Sequence, residues 1–134
     1  MTRSEIREHT FKIVFGSAFD IGAERDEQIS RYFDHDMDAD IKDKDREYIE
    51  NRCQLIEEKI TEIDMLLNER TTGWKTTRMN KVDLAILRLA CFEMRYDEEI
   101  PTGVAINEAV ELAKKYSSDE GPAFVNGVLA KLVD

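Results

Sequence analysis

Arg3 and Arg7 lie one helical turn apart near the start of the chain, so both guanidinium groups share a side if this segment is helical. Guanidinium groups are strong donors to phosphate, and the pair could therefore bind an anion. A helix N-terminus disfavours cations by roughly a few tenths of a kcal/mol unless an anionic partner compensates. The alternative is that Glu5 and Glu8 neutralise this turn and that both arginines are simply solvated.

Phe124 and Asn126 form a second candidate pair, in the last helical segment of the sequence. The side of this helix that is predicted to be buried consists of Val125, Val128, Leu129 and Leu132. Phe124 lies at the edge of that stripe, and an edge aromatic beside an amide can stack an unpaired base and bond its edge. The alternative is that Phe124 closes the core beside Pro122 while Asn126 bonds a neighbouring loop.

The Trp74–Arg78 segment and the carboxylate of Asp83, which we expect to be exposed, could form an edge that binds a partner, although a lone tryptophan is more often buried in a core. Arg88 is the basic residue inside an apolar helix, and a buried charge needs a partner, for which Glu108 is the candidate. Gly127 in mid-helix costs up to about 1 kcal/mol relative to alanine, which predicts close helix packing at that position.

Enzyme, metal and cofactor motifs are not found in the sequence. His9 and His35 are its only histidines, and His9 is expected to be an exposed helix residue. Cys53 and Cys91 lie far apart within apolar helical patterns, which indicates buried, reduced thiols in a cytoplasm. We therefore expect no catalytic residue, no metal site and no cofactor.

Charge is distributed unevenly along the 134 residues, whose net charge is −10. Residues 21–70 carry eight basic and sixteen acidic side chains, whereas residues 1–20 sum to zero. Nucleic-acid binding thus remains possible near the N-terminus, but the field of the whole protein would not attract a polyanion. No apolar run approaches the roughly 20 residues that span a bilayer, and the N-terminus has no apolar segment of secretory type.

Helical periodicity extends over the whole sequence and predicts an all-α, single globular domain of about seven helices. Thr2 and Glu5 form a capping box for the first helix, whose core stripe is Phe11, Val14, Phe15 and Ala18. Asn80 is predicted to cap a helix that is apolar on nearly every face, and is therefore central. Ser117 and Glu120 form another possible capping box. The predicted helices after the first are about 25–34, 43–68, 82–96, 103–116 and 122–132, with a short segment at 74–78. We expect two helical subdomains, approximately 1–72 and 73–134, divided near Gly73.

Three blocks of sequence resemble the NusB family of transcription antitermination factors. They are Trp74-Lys75-x-x-Arg78 with Val82 to Met94, then Ile100 to Lys114, and finally Phe124-Val125-Asn126-Gly127-Val128-Leu129. Together these blocks cover about residues 74–129 in the order and spacing of the family. The resemblance implies an all-α, non-enzymatic RNA-binding protein of two helical subdomains.

The resemblance also implies partners. Members of the family bind the single-stranded boxA element of ribosomal RNA leader transcripts together with the NusE-like ribosomal protein. This pair joins NusA, NusG and RNA polymerase, and members occur as monomers and dimers. The resemblance implies that the residues that bind RNA are Arg3, Arg7, Phe15, Glu120, Phe124 and Asn126. It implies that the residues that bind the protein partner are Trp74, Arg78 and Asp83.

One departure from the family pattern affects these expectations. Typical members begin with a dense arginine cluster, whereas this chain has only Arg3 and Arg7, among Glu5 and Glu8. RNA binding is therefore expected to depend on the protein partner. Two alternatives stay open: a stand-alone regulatory domain like that fused to ribosomal RNA cytosine methyltransferases, and a protein-only interaction scaffold.

Overall fold

The computed structural model describes residues 1–17, 27, 30–33 and 41–133, and every regular element among them is helical. The prediction of an all-α fold is confirmed. The chain forms two compact units, Met1–Glu57 and Glu58–Asp134. The division lies between Glu57 and Glu58, earlier in the chain than the predicted boundary near Gly73. The two predicted helical subdomains, 1–72 and 73–134, stay a prediction. Within the described part of the chain, no helix combines the length and the apolar character needed to cross a membrane.

The first unit contains α1 (Arg3–Ser17) and α2 (Asp43–Glu58). The Thr2 hydroxyl accepts a hydrogen bond from the backbone N–H of Glu5 at 3.1 Å, so Thr2 caps α1 as predicted. Residues 27 and 30–33 are helical, and the rest of the predicted 25–34 helix lies outside the described residues, as does Ala18. One core cluster of this unit contains Ile13, Ile49 and Cys53, with Ile6, Tyr32 and Phe33 packed against it.

His9 is buried in this unit, which corrects the expectation that it would be an exposed helix residue. Its Nδ1 is hydrogen-bonded to the hydroxyl of Tyr32, and the two rings meet edge to face. Polar neighbours in sequence suggested exposure, but Tyr32 arrives from a segment more than twenty positions away. His9 therefore has a structural role.

The single helix predicted over 43–68 is wrong, because the structure has α2 and then α3 (Ile60–Arg70). Lys59 separates them with φ −103° and ψ 4°, and it has no side-chain cap hydrogen bond. Neither glycine nor proline marks this position in the sequence. The hydrophobic period continues across the interruption, so the pattern could not reveal it.

The second unit contains α3, a 3₁₀ turn (Thr76–Arg78), α4 (Lys81–Tyr96), α5 (Thr102–Tyr116) and α6 (Gly121–Ala130). Helix α4 packs against α3, α5 and α6, so the prediction that it is central is confirmed. Its cap is also confirmed, because Asn80 Oδ1 accepts from the N–H of Val82 at 2.8 Å. The buried apolar residues of α4 are Leu84, Ala85, Ile86, Leu87, Leu89, Ala90, Cys91 and Phe92.

Arg88 pairs with Asp64 of α3, not with the predicted partner Glu108. Its Nε and Nη2 donate to the two carboxylate oxygens at 2.9 and 2.7 Å. Arg88 thus lies on the side of α4 that faces α3, and a bidentate bond satisfies a guanidinium group that is only 16% exposed. This ion pair links α3 to α4 in the second unit.

Candidate nucleic-acid interface

Helix α6 presents the predicted base-binding residues at its first turns. The predicted stripe of Val125, Val128, Leu129 and Leu132 is buried, which fixes the orientation of the helix. Phe124 is half-buried at the edge of that stripe, whereas Glu120 and Asn126 are exposed. Phe124 and Glu120 lie one turn apart, since the N–H of Phe124 bonds the carbonyl of Glu120 at 3.1 Å. This end of α6 therefore offers a ring, an amide and a carboxylate near solvent.

Trp74 contacts Phe124 directly. The ring centroids are 5.2 Å apart and the planes meet at 66°, an edge-to-face arrangement. Trp74 is 53% exposed, so the expectation that a lone tryptophan belongs to the core does not hold here. The structure thus brings together one residue expected to bind RNA and one expected to bind protein.

The loop that carries Trp74 is held by side-chain hydrogen bonds to the backbone. The Thr71 hydroxyl lies 2.7 Å from the carbonyl oxygen of Leu67 and 2.6 Å from that of Trp74. Asn68 Oδ1 accepts from the N–H of Thr76 at 2.8 Å. Gly73 has φ +84°, a left-handed conformation that favours glycine. These contacts hold the backbone at Trp74 in place while its side chain remains exposed.

Asp83 is buried, which corrects the expectation of an exposed carboxylate. The Ser117 hydroxyl donates to Asp83 Oδ1 at 2.5 Å, so Ser117 does not form the predicted capping box with Glu120. Gly121 lies against this pair, because a Cβ placed there would be 2.0 Å from Ser117 Oγ. Asp83 thus helps to position the start of α6, and a direct contact of Asp83 with a protein partner stays a prediction.

Open space surrounds the position of a Cβ at Gly127, with nothing within 4 Å, so the predicted close helix packing at Gly127 is wrong. Gly127 is exposed and adjoins Asn126 on the accessible side of α6. A glycine there leaves the backbone of this surface open to close approach.

The arginine candidates belong to the first unit. Arg3 is exposed on α1, and Arg7 is half-buried one turn later. Phe15 is also half-buried, with its ring centroid 6.2 Å from that of Phe11 in a stacked arrangement. A binding role for these three residues stays a prediction.

Reactive groups do not cluster in the described ranges, where no three metal-ligating side chains of the His, Cys, Asp and Glu types come together. Burial raises the pKa of the Cys91 thiol to about 11. This thiol is therefore protonated at neutral pH, and a protonated thiol is a poor nucleophile and metal ligand.

The roles of Ser117 and Gly121 at this interface were not predicted from the sequence, which placed Ser117 in a capping box. A glycine as the first residue of α6, just after an acidic run, was the available signal for Gly121. Nothing in the sequence links Ser117 to Asp83, which lies 34 positions earlier. That contact depends on how α5 and α6 pack against α4.

Comparison with known proteins identifies a family. A model described as the NusB family matches residues 4–134. Transcription antitermination protein NusB of Agathobacter rectalis is 53% identical over 131 residues, which covers 98% of either chain. A crystal form of T. maritima NusB has a TM-score of 0.88 at 29% identity, covering 98% of this chain and 90% of the other. A chain from the complex of antitermination factors NusB and NusE with dsRNA has a TM-score of 0.81 at 24% identity, covering 97% and 96%, and shares the fold.

Proposed function

The chain belongs to the NusB family, and from this we propose that it is a non-enzymatic, RNA-binding transcription antitermination factor. Its proposed ligand is the single-stranded boxA element of ribosomal RNA leader transcripts, bound together with a NusE-like ribosomal protein. The observation that carries this proposal is the 53% identity to an antitermination protein over 98% of the chain. The exposed side of α6 supports it, because ring and amide groups there suit unpaired bases.

Each RNA-binding residue has a distinct proposed task. Phe124 stacks a base, and the exposed amide of Asn126 bonds a base edge. The carboxylate of Glu120 accepts from the exocyclic amino group of a base. Arg3 and Arg7 bind phosphates and so position the RNA without reading its sequence. Phe15 on α1 is the remaining residue that is proposed to bind RNA.

The charge of this chain gives a physical reason for binding RNA together with a protein partner. The net charge of −10 opposes the approach of RNA, and only two arginines stand near the N-terminus. A ribosomal protein that binds both molecules would offset this repulsion. We place the role in the cytoplasm, within the larger complex of NusA, NusG and RNA polymerase. Trp74, Arg78 and Asp83 are the protein contacts that the family resemblance implies. For Trp74 and Arg78 an RNA contact is the alternative, and substitutions at Trp74 distinguish the two. A homodimer is a further proposed assembly of the chain, and light scattering distinguishes it from a monomer.

A gel-shift titration of labelled boxA-type RNA, with and without the ribosomal partner, tests the proposed function. We expect a shift that strengthens when the partner is present. Arg7→Gln should weaken the shift, whereas Lys44→Gln, which removes one exposed charge from α2, should not. Thermal melts of both variants show whether Arg7→Gln acts through folding. No shift under either condition at low salt contradicts the proposal.

A further inference from the structure

Residues 70–82 have an unusual charge for this chain. The segment contains four basic residues and no acidic one, in a protein of net charge −10. The four are Arg70, Lys75, Arg78 and Lys81. A local excess of this kind complements a polyanion at short range, even where the field of the whole protein opposes its approach.

Lys75 and Arg78 are available for such a contact. Both side chains are exposed, and neither forms an ion pair with a carboxylate in the part of the chain that the structure describes. By contrast, Lys114 on α5 is paired with Glu111 at 3.0 Å. The charges of Lys75 and Arg78 are therefore not already neutralised within the second unit.

Trp74 directly precedes Lys75 in the chain and contacts α6 through Phe124. Its exposed ring is carried by a loop that Thr71 and Asn68 hold in place, so little further order is lost when a ligand binds. A large exposed ring on a fixed backbone is a suitable surface for stacking a base. Its contact with Phe124 connects this segment to the proposed RNA-binding side of α6.

We propose that Trp74, Lys75, Arg78 and Phe124, called here the Trp74 surface, bind single-stranded RNA, with an unpaired base stacked on Trp74 and phosphates on Lys75 and Arg78. This inference rests on the proposed function and deepens it, because it adds a second base-stacking residue. The planes of Trp74 and Phe124 meet at 66°, so one base cannot stack on both rings. Bases stacked on both rings would therefore be splayed apart, which a paired duplex does not permit.

A protein partner at the same surface is the competing interpretation, since tryptophan and arginine are also frequent in protein interfaces. Charge favours RNA. A segment with four cations and no carboxylate suits a polyanion directly, whereas a protein would need a matching acidic face.

Trp74 is the only tryptophan of the chain, so its fluorescence reports on this surface without a label. Single-stranded boxA-type RNA carrying a fluorophore is titrated with the full chain, and RNA anisotropy and Trp74 emission are recorded together. We expect both signals to saturate at the same concentration, with Trp74 emission quenched. A rise in anisotropy without quenching overturns the inference and leaves the proposed function standing. Flat anisotropy with and without the ribosomal partner contradicts both. Double-stranded RNA of the same sequence should not quench Trp74.

Substitutions distinguish the contribution of base stacking to RNA binding from that of phosphate contacts. Trp74→Leu keeps apolar bulk but removes the aromatic face, and it should weaken RNA binding roughly tenfold or more, while Trp74→Phe restores most of the affinity. Lys75→Gln or Arg78→Gln should each lower the salt slope of log K by about 0.7, the value for one phosphate contact on a single strand. Lys114→Gln, the matched loss of one charge, should leave that slope unchanged. Unchanged RNA affinity in Trp74→Leu, with weakened binding of the ribosomal protein, overturns the inference in favour of a protein contact.

Discussion

Gly121 and Gly127 lie six positions apart at α6, and the same substitution to alanine should have opposite effects on stability. At Gly127 a new methyl group meets nothing within 4 Å, and the residue has no positive φ. The only expected effect of alanine there is its higher helix propensity relative to glycine. Gly127→Ala should therefore raise the free energy of unfolding by about 0.5–1 kcal/mol.

Gly121→Ala places its Cβ 2.0 Å from Ser117 Oγ and 2.4 Å from Ser117 Cβ. Rotation of the hydroxyl relieves the first contact, but the Cβ cannot move without the backbone of α5. Overpacking of this kind costs about 1–3 kcal/mol. The displaced hydroxyl also loses its bond to the buried carboxylate of Asp83, which adds about 1.5–3 kcal/mol. We expect a total destabilisation of about 2.5–6 kcal/mol.

Urea denaturation followed by Trp74 emission measures these changes within the second unit, with far-UV circular dichroism as a second probe. Ser117→Gly should rescue Gly121→Ala in part, because it removes both offending atoms. Ser117→Ala should not, since its Cβ remains 2.4 Å away. If Gly121→Ala were neutral, or if Gly127→Ala were destabilising, this account of α6 packing would be refuted.

Three further predictions concern the Arg88–Asp64 ion pair, the Cys91 thiol and the Asp83 carboxylate of the second unit. Arg88→Ala and Asp64→Ala should each cost about 3 kcal/mol, and the double variant should cost much less than their sum, as a double-mutant cycle in urea would show. Because burial raises the pKa of Cys91 from 9.0 to about 11, the folded state binds this proton more tightly. The free energy of unfolding should therefore fall by about 2–3 kcal/mol between pH 9 and 11 in the native chain but not in Cys91→Ala, and a thiol reagent should modify Cys91 only on unfolding. Asp83→Ala and Ser117→Ala should weaken binding of the ribosomal partner equally if Asp83 only positions α6, because each removes the Ser117–Asp83 hydrogen bond. A direct contact predicts a larger effect of Asp83→Ala, measured by calorimetry.

Local signals in the sequence predicted the local features of the fold. Thr2 and Asn80 cap their helices because a hydroxyl or amide just before a helical stretch reaches its first free N–H groups. The buried stripe of α6 follows from the helical period in the same way. Each of these features depends on residues within one or two turns, which is the range over which a sequence pattern is informative.

Features that depend on distant segments could not be predicted. His9 is buried because Tyr32 covers it, and Arg88 turns towards Asp64 because α3, not α5, lies on that side of α4. Glu108 was the predicted partner of Arg88, and Asp64 carries the same charge. Only the packing of the helices distinguishes them.

Trp74 and Asp83 show most clearly how packing divides residues that the sequence groups together. Their nearness in the chain suggested one exposed edge, but the structure exposes the tryptophan and buries the carboxylate. Both residues nevertheless act on the start of α6, Asp83 through Ser117 and Trp74 through the ring of Phe124. The start of the proposed base-binding helix is thus contacted both from the loop before α4 and from the first turn of α4. A substitution in either place can therefore change RNA affinity either by direct contact or by moving α6, and the Trp74 emission, which reports on stacking itself, tells the two apart.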